Sequence, residues 1–210
     1  MKEIFISVDK RLPVAAGIAG GSGNGAVTML GINALCGNPF SLRELMAIGS
    51  KVGADVPYSL MMNASKNSDL LADLPGIEEA RPAAWMTGIG DIVEPAESIH
   101  RYVILANPGI SVSTREAYEA IDELKEYTDE SGLFTNNLEN TLANYPEAAR
   151  LKSAMEEHLS AETVLMSGSG PTMVAYYCDE AAAKKEYEEM LNSQWLEASW
   201  RAWYTETGAR

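Results

Sequence analysis

The residues Val14-Ala15-Ala16-Gly17-Ile18-Ala19-Gly20-Gly21-Ser22-Gly23-Asn24-Gly25 form a run with hardly a side chain large enough to hold a ligand away from the main chain. Successive backbone N–H groups can close on an anion there, and a helix starting directly afterwards adds the positive end of its dipole. Together these are the parts of a triphosphate cradle. The run is not of the Walker type, because no Gly-Lys-Ser/Thr follows it, and a G-x-G-x-x-G reading lacks the downstream ribose-binding acid. A flexible turn leading into a close-packed helix is the other reading of the same residues.

Two further places could carry chemistry. Asp55 lies in Gly53-Ala54-Asp55-Val56-Pro57, just beyond a helix, where a carboxylate could take a proton from an attacking hydroxyl or hold a metal. The same residue could equally be a turn or capping residue. Ser167-Gly168-Ser169-Gly170-Pro171 interrupts two strand-like stretches and either lines a nucleotide site or makes a tight turn. His100 and His158 lie far apart in polar surroundings and read as surface residues, and Trp195, Trp200 and Trp203 read as packing for the C-terminal elements. Cys36 and Cys178 have no metal-type spacing, so neither a zinc site nor a disulfide framework is expected, and a reducing cytoplasm fits.

The elements that position these residues follow from periodicity and punctuation. Residues 3–8 alternate through Ile4, Ile6 and Val8 as a half-buried strand, with no leader ahead of them. A helix follows over Ala26–Leu35, opened by the glycine run and stopped by Gly37. Ser41-Leu42-Arg43-Glu44 is a capping box for a second helix ending near Gly53, and residues 61–83 read as a polar loop or insertion. Pro95-Ala96-Glu97-Ser98 is the expected domain boundary. Beyond it come a strand over Tyr102–Ala106, a helix from Arg115 to Tyr127 opened by Ser113, and helical material over 137–158. A strand over Thr163–Met166, another over Thr172–Cys178, an Asp179-capped helix to Leu191 and a strand within Ser199–Thr207 complete the pattern.

The chain has 210 residues and a net charge of −14, which repels phosphate backbones and anionic lipid. Nucleic acid and membrane are therefore not expected as partners. A small anionic ligand is compatible with that field, because backbone N–H groups act locally. No run approaches the roughly 18 apolar residues of a membrane span.

Lys10-Arg11-Leu12-Pro13 into the glycine run, then Gly53-Ala54-Asp55-Val56-Pro57, then Ser167-Gly168-Ser169-Gly170 occur in an order that resembles the GHMP kinase superfamily. Asn107-Pro108-Gly109-Ile110-Ser111-Val112-Ser113-Thr114 and Thr135-Asn136-Asn137-Leu138-Glu139 are similar to stretches in the second half of members acting on a cytidine diphosphate substrate. The resemblance implies an α+β, two-domain GHMP kinase-like fold. Residues 1–96 would be the remainder of an N-terminal α/β ATP-binding domain and residues 97–210 a C-terminal α/β sandwich domain. It implies a small-molecule kinase that uses ATP and Mg2+ to phosphorylate a hydroxyl of cytidine diphosphate methylerythritol, in the non-mevalonate route to isoprenoids. A catalytically incomplete nucleotide-binding fragment, or a kinase for another small alcohol, is the alternative.

Carried over by position, Pro13, Val14, Ala15, Ala16, Gly17, Ile18, Ala19, Gly20, Gly21, Ser22 and Gly23 would wrap the ATP phosphates, with Asn24 adjacent and Lys10 near the nucleotide. Asp55 would be the catalytic carboxylate and would meet the substrate hydroxyl. Thr114 and Tyr118 would meet the cytidine, while Gly168, Ser169 and Gly170 close the site. The family's lysine-bearing first strand and its Gly-Tyr-His stretch do not appear, so the N-terminal domain is expected to be incomplete, and Lys10 does not take that lysine's role. Unpaired strand edges left by such an incomplete sheet predict association into a homo-oligomer.

Overall fold

In the computed structural model, residues 3–90, 92–125 and 134–208 are described. Two compact units emerge, one holding the stretch up to Leu12 together with Ala19–Ile99, the other Pro13–Ile18 together with His100–Thr207. The glycine run is thus shared out: its first part packs with the second unit, and its last part begins a helix of the first.

In the first unit, α1 (Gly20–Leu35), α2 (Leu42–Gly49) and α3 (Val56–Lys66) pack around Ala26, Leu30, Leu42, Leu45, Val56, Leu60 and Ala64. Small residues bring α2 and α3 together, since a Cβ at Gly49 would lie 2.8 Å from Val56 Cγ1 and 2.9 Å from Leu60 Cδ1. Buried Asn33 ties the α1–α2 connection: its Nδ2 donates to Phe40 O at 2.8 Å and its Oδ1 accepts from Phe40 N at 3.1 Å. A two-stranded antiparallel hairpin, β1 (Ala84–Thr87) and β2 (Ile92–Pro95), completes the unit.

Four sequence expectations change here, the first being that α2 stops at Gly49, short of the expected end near Gly53, because Ile48 and Val52 are exposed and gain no burial that would extend it. Residues 3–8 form no strand; Ile4, Phe5, Ile6 and Val8 are exposed, because an alternating segment becomes a strand only when a ladder partner takes its N–H and C=O groups. Helix α1 begins at Gly20, inside the glycine run and ahead of Ala26, since burial of Ala26 and Leu30 against α3 outweighs the poor propensity of glycine. Residues 61–66 continue α3, whose Leu60, Met61 and Ala64 are buried. The segment after Lys66 is a series of turns ending in a 3-10 turn, Ile77–Glu79.

The second unit is a four-stranded antiparallel sheet in the order β4 (Thr163–Met166), β5 (Met173–Tyr177), β3 (Tyr102–Asn107), β6 (Arg201–Glu206). Alternate residues of one face, Ile104, Ala106, Met173, Ala175, Tyr177, Val164 and Met166, join a single core. The same core receives Ala117 and Ile121 of α4 (Thr114–Leu124), Ala148, Leu151 and Met155 of α5 (Pro146–His158), and Ala183 and Met190 of α6 (Glu180–Leu191). Trp200 lies within it, with Trp195 packed alongside. Helix α4 ends at Leu124, short of the expected Tyr127, because Lys125 turns left-handed at φ 53; the remaining residues expected in it, 126 and 127, lie outside the described residues. A 3-10 stretch, Asn137–Asn144, precedes α5.

Candidate functional site

In the first unit the start of α1 has no cap. Its N-cap residue Ala19 has φ 49 and offers no side-chain acceptor, and no acidic residue occupies the first turn. Gly23 N donates to Ala19 O at 2.9 Å, which leaves the N–H groups of Gly20, Gly21 and Ser22 ahead of the first helical bond. Packing does not demand the glycines: a Cβ at Gly21, Gly23 or Gly25 would meet nothing within 4 Å, and one at Gly20 would meet only the Lys10 ammonium, at 3.6 Å. Each helical glycine costs about 0.5–1 kcal/mol relative to alanine. What this cost provides is an open main chain at the positive end of a helix, with an ammonium beside it. A cation at that end is unfavourable unless an anion lies between them.

Asp55 is the N-cap residue of α3, with Val56 and Pro57 buried behind it. Its side chain makes no capping hydrogen bond, and the carboxylate is exposed. Among the described residues it has no hydrogen-bond or ion-pair partner, which leaves its lone pairs to a ligand hydroxyl.

In the second unit, Gly17 is pressed onto the break between β4 and β5. It has φ 72, and a Cβ there would fall 2.2 Å from Ser167 O and 2.7 Å from Gly170 O, so only glycine fits. Ser167 Oγ donates to Gly17 O at 2.9 Å. Two residues earlier, Ala15 is held at φ 52, a conformation costly for a residue with a Cβ. Gly168 and Gly170 are left-handed as well, and Gly170 N donates back to Ser167 O at 2.9 Å. The N–H groups of Gly168 and Ser169 donate to no acceptor among the described residues. Alternation of hand in a loop of this kind turns neighbouring N–H groups toward one concave side, which suits an anion. Thr114 Oγ1 and Ser169 Oγ share a hydrogen bond of 3.0 Å. Tyr118, one turn after Thr114 on α4, is exposed.

Residues 2–63 match the family described as GHMP kinases N terminal domain, and residues 117–196 match GHMP kinases C terminal. A 4-diphosphocytidyl-2-C-methyl-D-erythritol kinase from Geobacter sulfurreducens is 31% identical over 94% of this chain and 69% of its own length. The chain belongs to the GHMP kinase family. Relatives of the same name from Lachnoclostridium phytofermentans (35% identical) and Alkaliphilus metalliredigens (34%) align with 88% and 89% of the chain, which spans 63% and 64% of their lengths. A crystal structure of 4-(cytidine 5'-diphospho)-2C-methyl-D-erythritol kinase shares the fold, with a TM-score of 0.71 and 24% identity over 96% of this chain and 70% of that one.

Against this family background, the residues singled out in the sequence fall into two groups. Lys10, Ala19, Gly20, Gly21, Ser22, Gly23, Asn24 and Asp55 are in the first unit; Pro13, Val14, Ala15, Ala16, Gly17, Ile18, Thr114, Tyr118, Gly168, Ser169 and Gly170 are in the second. Within the second, Gly17, Thr114 and the loop 167–170 are in direct contact. A cavity of about 540 Å³ in the first unit, lined by Leu42, Met46, Pro57, Met61, Arg81 and Val93 among others, contains none of them.

Polar groups behind the loop, buried Asn107 and half-buried Asn136, carry no mark in the sequence beyond the stretches they belong to. Asn107 Nδ2 donates to Thr172 Oγ1 at 2.9 Å while its Oδ1 accepts from Gly109 N at 2.9 Å. Asn136 donates to the loop itself. Both asparagines lie in stretches that resemble the family, yet nothing in residue type or spacing distinguishes a loop anchor from an ordinary turn residue.

His100 and His158 are at the surface, against Glu206 and Trp195 respectively. Cys36 and Cys178 are free and exposed. A hydrogen bond to Glu162, followed by desolvation, pushes the Cys178 thiol up. Among the described residues no helix is long and apolar enough to cross a membrane.

Proposed function

We propose that this chain carries out ATP-dependent phosphorylation of a hydroxyl on the methylerythritol part of a cytidine diphosphate substrate, a step toward isoprenoid precursors. The observation that carries this reading is the start of α1: an uncapped helix end whose glycines serve no packing purpose, with Lys10 beside it. Residues 1–96 are then the ATP-binding part and residues 97–210 the C-terminal part. The named relatives support the choice of substrate.

In this reading the N–H groups of Gly20, Gly21 and Ser22 and the Lys10 ammonium hold ATP phosphates, with Pro13–Ile18 wrapping them and Asn24 adjacent. Mg2+ carried by the nucleotide would supply neutralisation of the charge on its phosphate oxygens. Asp55 accepts a hydrogen bond from the substrate hydroxyl, orients it toward the terminal phosphate, and takes its proton as the new O–P bond forms and the bond from that phosphorus to the bridging oxygen breaks, with ADP leaving. Thr114 and Tyr118 face the cytidine, where the Tyr118 ring can stack on the base. Gly168, Ser169 and Gly170 hold a substrate phosphate. The two exposed thiols fit a reducing cytoplasm. The exposed apolar side chains of residues 4–8 favour self-association.

Transfer of labelled phosphate from ATP to cytidine diphosphate methylerythritol tests the reading, with CDP as competitor. Turnover inhibited by CDP is expected. Turnover on another small alcohol, insensitive to CDP, would move the substrate assignment. ATP binding without transfer to any alcohol would reduce the chain to a nucleotide-binding fragment.

A further inference from the structure

The loop Ser167–Gly170 leaves the sheet at the end of β4 and holds two residues in the left-handed region. One side chain spans its entry. Asn136 Nδ2 donates to Met166 O and to Gly168 O, each at 2.8 Å, and Asn136 Oδ1 accepts from Leu138 N at 3.0 Å. A carboxamide offers two hydrogens from one nitrogen together with an acceptor oxygen, and here all three groups are engaged. The two carbonyls flank Ser167, so the amide closes the chain around that residue into a fixed bend.

The clamp is itself anchored. Glu139, three residues on, accepts from Met166 N, and Lys152 Nζ of α5 lies 3.7 Å from the Glu139 carboxylate. On the far side of the loop, Thr114 holds Ser169 at 3.0 Å. With the Met166 and Gly168 carbonyls and both serine hydroxyls engaged, and the Ser167 and Gly170 N–H groups donating to Thr172 O and Ser167 O, the Gly168 and Ser169 N–H groups are the loop's backbone donors left without an acceptor among the described residues.

We propose that Asn136 is a positioning residue that, by bridging the Met166 and Gly168 carbonyls, aims the Gly168 and Ser169 N–H groups at a phosphate of the nucleoside diphosphate substrate. The choice of the alcohol substrate over ATP rests on the kinase reading above and on the Ser169–Thr114 bond, which ties the loop to the α4 face carrying Tyr118. Asn136→Asp keeps the shape but sets carboxylate oxygens against two carbonyl oxygens. Asn136→Ala removes both donors.

Steady-state kinetics of the full chain separate positioning from a merely structural role. Both variants should raise KM for the cytidine diphosphate substrate by about tenfold or more, because a misaimed donor pair loses ground-state binding. KM for ATP should stay within about twofold. A fall in kcat that tracks the folded fraction, with both KM values unchanged, overturns the proposal.

A second measurement does not depend on turnover. On titration with CDP, the amide NMR signals of Gly168 and Ser169 should move in the parent chain, and should cease to respond in Asn136→Asp. Signals that fail to move in the parent chain, or that move equally in the variant, overturn the proposal. If the parent chain transfers no phosphate while its amides respond to CDP in an Asn136-dependent way, the kinase reading falls and the positioning role holds.

Discussion

Helices α1 and α2 belong to the same unit and share one core, yet their first turns are built in opposite ways. The start of α2 is closed by its own side chains: Ser41 Oγ accepts from Glu44 N at 3.4 Å, and Glu44 Oε2 accepts from Ser41 N at 2.8 Å. The start of α1 has neither a cap nor an acid, and its glycines leave the main chain open. Helices α4 and α6 follow α2, with Ser113 and Asp179 as caps. The N-cap carboxylate of α3, Asp55, is a third case, being of the right type and in the right place but not used as a cap. Side-chain capping is absent at the two helix starts that the kinase reading assigns to phosphate and hydroxyl and also at α5, but α5 has Pro146 and Glu147 in its first turn, whereas α1 has neither a cap nor an acid there.

The sharpest way to break this comparison is Asp55→Asn. Loss of a general base or orienting carboxylate should lower kcat by about 10²–10⁴-fold. Because the side chain makes no capping bond, the melting temperature should hardly change. Undiminished phosphoryl transfer would remove Asp55 from the reaction.

Next is Gly21→Glu, for which the structure has room. An acid in the first turn and the loss of a helical glycine should stabilise the fold by about 1 kcal/mol. The same change should weaken ATP binding by about tenfold or more, through charge repulsion and obstruction. Calorimetric titration with ATP and thermal unfolding of one sample give both signs. Unaltered ATP affinity would leave α1 without a ligand.

Ser41→Ala applies the opposite test. Removing the cap should cost about 1 kcal/mol of stability, within the range for such substitutions, with kcat and both KM values unchanged. A loss of turnover at full folding would mean that α2 is not the passive scaffold the comparison takes it to be.

The smallest expected effect is a pH dependence. The Ser41 N–H, and after it the Ser41 hydroxyl, hold the Glu44 carboxyl below the usual carboxylate range. A depressed folded-state value stabilises the fold at pH above the unfolded carboxylate pKa, and that contribution is lost as pH falls through the folded value. Denaturant midpoints should therefore drop slightly further toward acid in the parent chain than in Glu44→Gln. Parallel acid limbs in the two proteins would show that the box contributes nothing by titration.

Elements closed by local chemistry were the ones readable in the sequence. The Ser41 box, the Ser113 and Asp179 caps and the strand over Thr163–Met166 recur in the structure at the places their residue types indicate. Residues 3–8 were misread because alternation describes a strand's faces and says nothing of whether a partner exists. Residues 61–66 were misread as loop because Met61 and Ala64 gain helical order from burial against neighbours, a nonlocal term. At the candidate site, glycines and Asp55 drew attention by type and spacing, whereas Asn136 is one asparagine among several and shows its role only through the carbonyls it reaches.

The sequence by itself determined what is chemically possible: a main chain open to an anion, a carboxylate after a helix, a net charge of −14, and the motif order that marks the family. Only the tertiary structure decided which groups are left unsatisfied. It carries Gly17 onto the loop at Ser167, 150 residues away, commits Asn136 to two carbonyls, and leaves the N–H groups of Gly168 and Ser169 without acceptors among the described residues. Residue type sets how many hydrogen bonds a group can make, but whether they are spent inside the protein or kept for a ligand depends on neighbours distant in sequence.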